Sequence, residues 1–374
     1  MRRLQVIAAG LGYHLLEANS LTEMAGLKFA PAESVFPAVT CVAQASMRTG
    51  LSPAEHGMIS NGVWLDDLCK PSFWEQSARL VKGSRVWSRH SGVFFFQQSL
   101  GEDVDLILSP APIHKHGGGM LMSCYTQPSG MAEVLRRRCG SFPLWRYWGP
   151  LASPKVGRKC ISYFEEMTNL QDVDEAYLYL PTLDYAAQKF GPKAPQSVAA
   201  LKEFVRQLEG LSDLCMRRGC ELKVIGDYEI TPVTAEPVRP NVVLRRNDLF
   251  RTRQVAGRAY PDFYQSSAFA LCDHEFCVVS GEAREKAVEL LLETGDYERP
   301  ESQPVAPVDG RTVLLAKAGS WCDYRWWTDA REAPDFASHV DIHNKPGYDP
   351  TELFLFGRGT VRGTHGRKCE VACA

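Results

Sequence analysis

Short apolar runs and longer amphipathic stretches alternate along this chain. The runs Leu4 to Ala9, Val93 to Phe96, Asp105 to Leu108, Ala176 to Leu180, Leu222 to Ile225 and Thr312 to Ala316 have strand length. Apolar runs this short and this continuous suit strands buried on both faces, as in a parallel sheet covered by helices. Between them, Leu201, Phe204, Val205, Leu208, Leu211 and Cys215 recur at helical spacing and predict a helix from about Gln196 to Arg218. Glu282 to Glu293, set between Gly281 and Gly295, predicts a second. The alternation implies strands joined by helical crossovers, hence a mostly parallel central sheet in an α/β fold. Ser266 to Ser280 reads as part of a smaller β-rich appendage, and Pro300 to Pro307 as an exposed connection.

Composition narrows the classes of function. The 374 residues carry 42 Lys+Arg against 44 Asp+Glu, a formal net charge of −2, so the basic excess that a nucleic-acid binder uses to release phosphate counterions is missing. Twelve cysteines are scattered from Cys41 to Cys373 without a CxxC pair. The closest, Cys215/Cys220, Cys272/Cys277 and Cys369/Cys373, lack zinc-ribbon spacing and read as reduced thiols of a cytoplasmic protein. The N-terminal apolar run is broken by Gln5 and soon meets Tyr13, His14 and Glu17, which fits a first strand better than a signal peptide. No stretch approaches the ~20 apolar residues that span a bilayer. No repeat or low-complexity tract divides the chain, so residues 1–374 read as one large α/β domain with insertions.

The densest chemical signal lies between Phe36 and Gly62. A strand-like entry ends at Thr40 and a helix-compatible run follows from Cys41 to Met47. That places the Thr40 hydroxyl at a helix N-terminus, where free N–H groups and the positive end of the dipole favour an anion. An N-capping role and a nucleophilic role both fit Thr40 at this point. Further along come Thr49-Gly50, Pro53-Ala-Glu-His56-Gly57 and Asn61. This arrangement resembles the nucleophile region of the alkaline phosphatase superfamily, in its nucleotide pyrophosphatase/phosphodiesterase branch, and most of all a little-characterised bacterial subgroup. The resemblance implies a three-layer α/β/α fold, Thr40 as covalent nucleophile and Asn61 as a donor to a phosphate oxygen, with His56 structural.

Later blocks match in order. Tyr179 to Pro192, with Asp184 and Gln188, looks like the family's metal-binding Tyr-x-x-x-x-Asp-x-x-x-His-x-x-Gly-Pro segment. Asp227-Tyr228-Glu229 stands where the family has Asp-His-Gly, and Lys345-Pro-Gly-Tyr348 where its last metal-binding His sits beside a Gly. Segments 100–170 and 250–330 are weakly covered. The family holds two zinc-like ions with three Asp and three His; this chain has Ala9 at the first Asp position, and Gln188, Tyr228 and Tyr348 or Pro346 at the three His positions. Only Asp184 and Asp227 remain, which argues against the usual two-ion centre and leaves room for at most one zinc-like divalent ion.

Gln and Tyr are polar and neutral, so the sequence implies a wet pocket holding Thr40, Asn61, Asp184, Gln188, Asp227, Tyr228 and Tyr348. His339 and His343 offer substitute metal ligands, His114 and His116 beside a glycine run offer a second cluster, and Lys345 and Lys115 offer positive charge; an ordinary loop is the favoured reading of both histidine clusters. Trp321, Tyr324, Trp326 and Trp327 suit a pocket lining or core packing, and Arg136 to Arg138 and Arg245-Arg246 suit solvated charges. The expected function is a divergent phosphodiesterase- or phosphatase-like hydrolase or transferase acting on a small phosphoester or related metabolite. The competing expectation is a pseudoenzyme whose cleft binds a small molecule or a protein without turnover. A third is a metal-free enzyme acting on a neutral or cationic molecule.

Overall fold

A computed structural model describes residues 1–117, 119–305, 310–339, 344–355 and 359–374. The central sheet has eight strands: β1 (Arg3–Ala8), β2 (Ala30–Glu33), β3 (Ser91–Phe94), β4 (Leu106–Pro110), β5 (Cys124–Gln127), β6 (Glu175–Leu180), β7 (Glu221–Gly226) and β8 (Glu370–Cys373). Their order is β5-β4-β3-β6-β1-β7-β8-β2. The five strands from β4 to β7 run parallel, while β5 and β8 are antiparallel to their neighbours. Leu178 and Tyr179, which point to opposite faces of β6, are both buried, as expected where helices cover both sides of a parallel sheet. The architecture is the three-layer α/β/α arrangement that the sequence implies.

Three helices matter for the site: α1 (Thr40–Thr49), α2 (Asp184–Phe190) and α3 (Pro195–Arg218). Helix α3 begins with Pro195 in its first turn and ends at Gly219, which takes a left-handed φ of +63°. Its apolar stripe is buried through Leu201, Phe204, Leu208, Leu211 and Cys215 in the core shared with β1 and β6. The second predicted helix spans Arg284–Glu293 and buries Ala287, Val288 and Leu291.

The register aligns the ends of β1, β6 and β7, with Ala8 opposite both Leu180 and Gly226. Segments leaving these three carboxyl ends therefore converge, in the place where open α/β sheets collect ligands. A side chain at position 226 would stand 2.1 Å from the Leu11 carbonyl oxygen, so glycine is required there.

Two sequence expectations change. Thr312–Ala316 is a strand, but it joins a separate antiparallel sheet with Phe269–Asp273, Phe276–Ser280 and Tyr297–Glu298 instead of the central one. An apolar run records burial, not the sheet to which it belongs. The Pro300 to Pro307 connection is exposed at Glu301 to Gln303, yet Pro304 and Val305 are buried and Val305 packs into the core of the small sheet; 306 and 307 lie outside the described residues. That core also takes Tyr324, Trp326 and Trp327, while Trp321 packs with Leu353 and Val361, so these rings are packing. Among the described residues no helix is long and apolar enough to cross a membrane.

Candidate active site

Thr40 is the first residue of α1, and its Oγ1 lies 3.5 Å from the hydroxyls of Tyr179, at the end of β6, and Tyr228, just beyond β7. The Tyr228 hydroxyl donates to Asp184 Oδ1 at 3.1 Å, and Gln188 Nε2 donates to the same oxygen at 2.6 Å across one turn of α2. Tyr348 Oη in turn donates to Gln188 Oε1 at 2.8 Å. All three positions at which the resemblance expects histidine thus meet around Asp184. Burial pushes the Asp184 carboxyl up to about 6, and the hydrogen bonds from Gln188 and Tyr228 limit the rise.

Asp227 sits behind this group. The N–H of Gly10, which turns the chain after β1 at φ +71°, donates to Asp227 Oδ1 at 3.0 Å. The other oxygen, Oδ2, is buried without a hydrogen-bond partner. Burial holds this carboxyl well above its ordinary range, and the nearby Asp184 charge adds to the rise.

At the start of α1 the free N–H of Cys41 is taken by Asn61 Oδ1 at 3.0 Å. Asn61 Nδ2 donates to Asp273 Oδ1 at 3.1 Å, and Asp273 Oδ2 accepts from Asn61 N at 2.7 Å and Ser60 Oγ at 2.9 Å. Asp273 ends the first strand of the small sheet, so the appendage reaches back and fixes Asn61 at the start of α1. Burial pushes its carboxyl up to about 6, opposed by those donors.

The turn after Asp273 has a second consequence. His274 stands at φ +53° in the two-residue hairpin loop, and its ring stacks on Tyr348 at 3.8 Å and on His365 at 3.8 Å. His365 stacks on Tyr228 at 3.7 Å with the planes 4° apart. Tyr228, His365 and His274, all buried, and Tyr348, half-buried at the end, form a column, each contact contributing about 0.5–1.5 kcal/mol beyond its buried area. Burial drives His365 down to about 3 and His274 well below its ordinary value, so both rings are neutral. His365 Nδ1 lies 2.9 Å from the Ala38 carbonyl, which assigns the proton to that nitrogen.

A cavity of about 240 Å³ opens beside Thr40. Of the site residues named from sequence, Thr40 and Asp184 line it; Asn61, Asp227, Gln188, Tyr228 and Tyr348 are absent from its wall. The expected wet pocket is instead a packed network whose polar groups largely satisfy one another. Lys345 is also corrected: it is 2% exposed, paired with Asp349 at 3.0 Å and donating to Thr351 Oγ1 and the His339 carbonyl. A buried ammonium requires such partners. His339 is exposed, with Nδ1 2.8 Å from the Asp335 carbonyl, and His343 lies outside the described residues. His114, Lys115 and His116 occupy an exposed hairpin. His56 is held by Ser46 and the Met58 N–H, as a structural residue would be.

Sequence reading missed Tyr179, Asp273, His274 and His365, and the cavity walls Trp74, Tyr147, Trp148 and Tyr185. One signal was present for His365, which stands beside Gly366 in a His-Gly pair near the chain end, as His56-Gly57 and His116-Gly117 do earlier. The walls carry no local signal, because they come from loops far apart in sequence.

The profile of the type I phosphodiesterase / nucleotide pyrophosphatase family matches residues 8–349. The chain belongs to that family. Its fold is similar to that of phosphonoacetate hydrolase from Sinorhizobium meliloti 1021 in complex with phosphonoformate, at 14% identity and TM-score 0.63 over 100% of this chain and 89% of that one. It is also similar to murine ectonucleotide pyrophosphatase/phosphodiesterase 5 in complex with AMP, at 12% identity and TM-score 0.56 over 100% and 87%, and to the human protein, at 11% and 0.53 over 100% and 87%. Among curated proteins, none matches this sequence. The family uses divalent metals, but the donors of this chain do not fit a two-ion centre. Asp184 Oδ1 is already taken by two donors, His365 Nδ1 is committed to a carbonyl, and no three His, Cys, Asp or Glu side chains among the described residues are arranged to hold a metal.

Proposed function

We propose that this family member is a divergent hydrolase or transferase in which Thr40 is the nucleophile and Asp184 draws off its proton. The observation that carries this reading is the chain of contacts from Thr40 Oγ1 to Tyr228 Oη to Asp184 Oδ1, with Thr40 on the cavity wall. Thr40 Oγ forms a bond to the electrophilic centre as the bond to the leaving oxygen breaks. The hydroxyl proton passes to the phenol of Tyr228 while the phenol's own proton passes to Asp184. Asp184 returns a proton to the leaving oxygen, and water then releases the product from Thr40. The 3.5 Å first step is long for a hydrogen bond, as catalytic contacts often are before substrate binds.

A phosphomonoester dianion is a poor fit to this reading. Two unit charges of like sign 4 Å apart repel by about 4 kcal/mol at an effective dielectric constant of ~20. Among the described residues the wall carries Asp184 and Glu352 and no Lys or Arg. A phosphodiester or another less charged ester suits it better. The reduced cysteines support a cytoplasmic setting, and the reach of Asp273 into the site supports one functional unit from end to end.

One observation favours the second reading, a cleft that binds without turnover: the Cys41 N–H and the Asn61 side chain, expected to serve an oxyanion, are occupied by each other and by Asp273. Ester turnover by wild type and Thr40→Ala, with mass spectrometry of the intact protein after rapid quench, separates the two. The hydrolase reading expects turnover to fall on the order of 10³-fold or more in Thr40→Ala and an adduct on Thr40 in wild type. Equal, measurable rates in the two proteins overturn Thr40 as nucleophile, and no turnover in either leaves only the binding reading.

A further inference from the structure

A second cavity, of about 480 Å³, adjoins the one beside Thr40, and Tyr185 lines both. Its wall is built from the 149–155 segment, the end of α2 and the first turns of α3. Lys155, Lys189, Lys202 and Arg206 stand on it against a single carboxylate, Glu203. That carboxylate is already held by Arg158 at 2.5 and 2.6 Å and by Arg206 at 3.1 Å. None of the three lysines has a carboxylate within 4.0 Å among the described residues. Lys189 is the most confined: half-buried, it donates to the Pro150 carbonyl at 3.2 Å and lies over the rings of Phe190 and Phe354 at 5.6 and 5.4 Å. The first turn of α3, which no side chain caps, brings Gln196 and the positive end of a long helix dipole to the same wall.

An ammonium has three donors, and one carbonyl and two ring faces leave Lys189 with donors and most of its charge unmatched. Partial burial has taken water from it without supplying an opposite charge, so an entering anion meets a group already stripped for it. One exposed ion pair is weak and screened by salt. Several cations around one hollow add up only on a ligand that carries more than one charge. Pro154, Phe190 and Leu353 give such a ligand an apolar surface to rest on. We propose that this second cavity binds a small, multiply charged organic anion, a polycarboxylate or a phosphate ester, separately from whatever reacts at Thr40. The assignment does not rest on the Thr40 reading, since Thr40, Tyr228 and Asp184 do not line this cavity.

The test is calorimetry on the full chain at fixed ionic strength, with citrate, inorganic phosphate and acetate as probes. Citrate or phosphate is expected to bind about tenfold or more tightly than acetate, and the tighter of the two identifies the head group as carboxylate or phosphoryl. Lys189→Gln should weaken that probe about tenfold, and Lys202→Gln, at an exposed position, about threefold. Should Lys189→Gln fold poorly, Lys155→Gln combined with Lys202→Gln, both at exposed positions, carries the same test with an expected loss of about tenfold. Thr40→Ala is expected to bind the probe as wild type does. Polyanions no tighter than acetate, lysine variants that bind like wild type, or loss of binding in Thr40→Ala would each overturn the proposal. Anion binding without ester turnover, or turnover without anion binding, shows which of the two readings has failed.

Discussion

The two ends of the site have been built differently. At the Thr40 end, Thr40 faces the cavity, and the groups behind it, Cys41 N–H, Asn61, Ser60 and Asp273, are joined by conventional hydrogen bonds. At the Asp184 end, Gln188, Tyr228 and Tyr348 close around the carboxylate, and His274 and His365 complete a stack of four rings. One end keeps a hydroxyl on a cavity wall; the other is packed interior. A packed interior demands that the space be filled and its polar groups be partnered; aromatic rings bearing hydroxyls meet the first demand and most of the second, with Asp227 Oδ2 and His274 Nδ1 left without a partner.

The largest expected effect separates shape from polarity at the packed end. Tyr228→Ala removes a ring from the column and leaves a cavity, and should cost about 3–5 kcal/mol in chemical denaturation. Tyr228→Phe keeps the ring and loses the hydroxyl's bond to Asp184 and its long contact with Thr40, and should cost about 1 kcal/mol. Similar costs for the two variants would mean that the hydroxyl, not the stack, holds this end together.

Next comes the Thr40 end. Asp273→Ala strands three donors, Ser60 Oγ, Asn61 N and Asn61 Nδ2, and should cost about 3 kcal/mol. It should also lower activity, because Asn61 no longer anchors the start of α1. A variant with native stability and native turnover would show that α1 holds Thr40 without help from the appendage.

The smallest effect is a pH dependence. His365 takes up its proton near pH 3 in the folded chain against 6.5 as a free side chain, because burial opposes its charge. Its contribution to stability is complete above pH 6.5 and is lost as pH falls toward 3, amounting to about 2 kcal/mol at pH 5. Asp184 and Asp273, raised from 3.8 to about 6, act in the opposite sense: their burial disfavours folding above pH 6, and that cost is relieved as pH falls from 6 to 3.8. The comparison of wild type with His365→Phe isolates the histidine. The variant, which keeps a ring in the column, should lose less stability between pH 7 and pH 5. Parallel stability curves for the two proteins would place the acid sensitivity elsewhere.

How far the chain can be read without its structure follows the range of each interaction. Burial on both faces announces β1, β6 and β7, and the 3.6-residue period announces α3, since both are local patterns. The position of Thr40 at a helix start is likewise local, as is the presence of Gln188 and Tyr228 where the resemblance implies histidine. The membership of Thr312–Ala316 in the small sheet is not local, because strand pairing depends on partners distant in sequence. Neither is the use made of Asn61, whose amide looks like a free donor until Asp273, more than two hundred residues later, accepts from it.

By itself, then, the sequence determined the class of fold, the place of Thr40 at a helix start and the presence of Gln188 and Tyr228 near the carboxyl end of the sheet. Tertiary structure alone decided what surrounds them. It brought a hairpin turn and the His365 segment against the carboxyl end of the sheet, stacked four rings there, and left an acidic, aromatic cavity beside Thr40. The physical reason is that local pattern specifies which residues are buried, whereas the partner each one finds is set by chain ends and loops that meet only after folding.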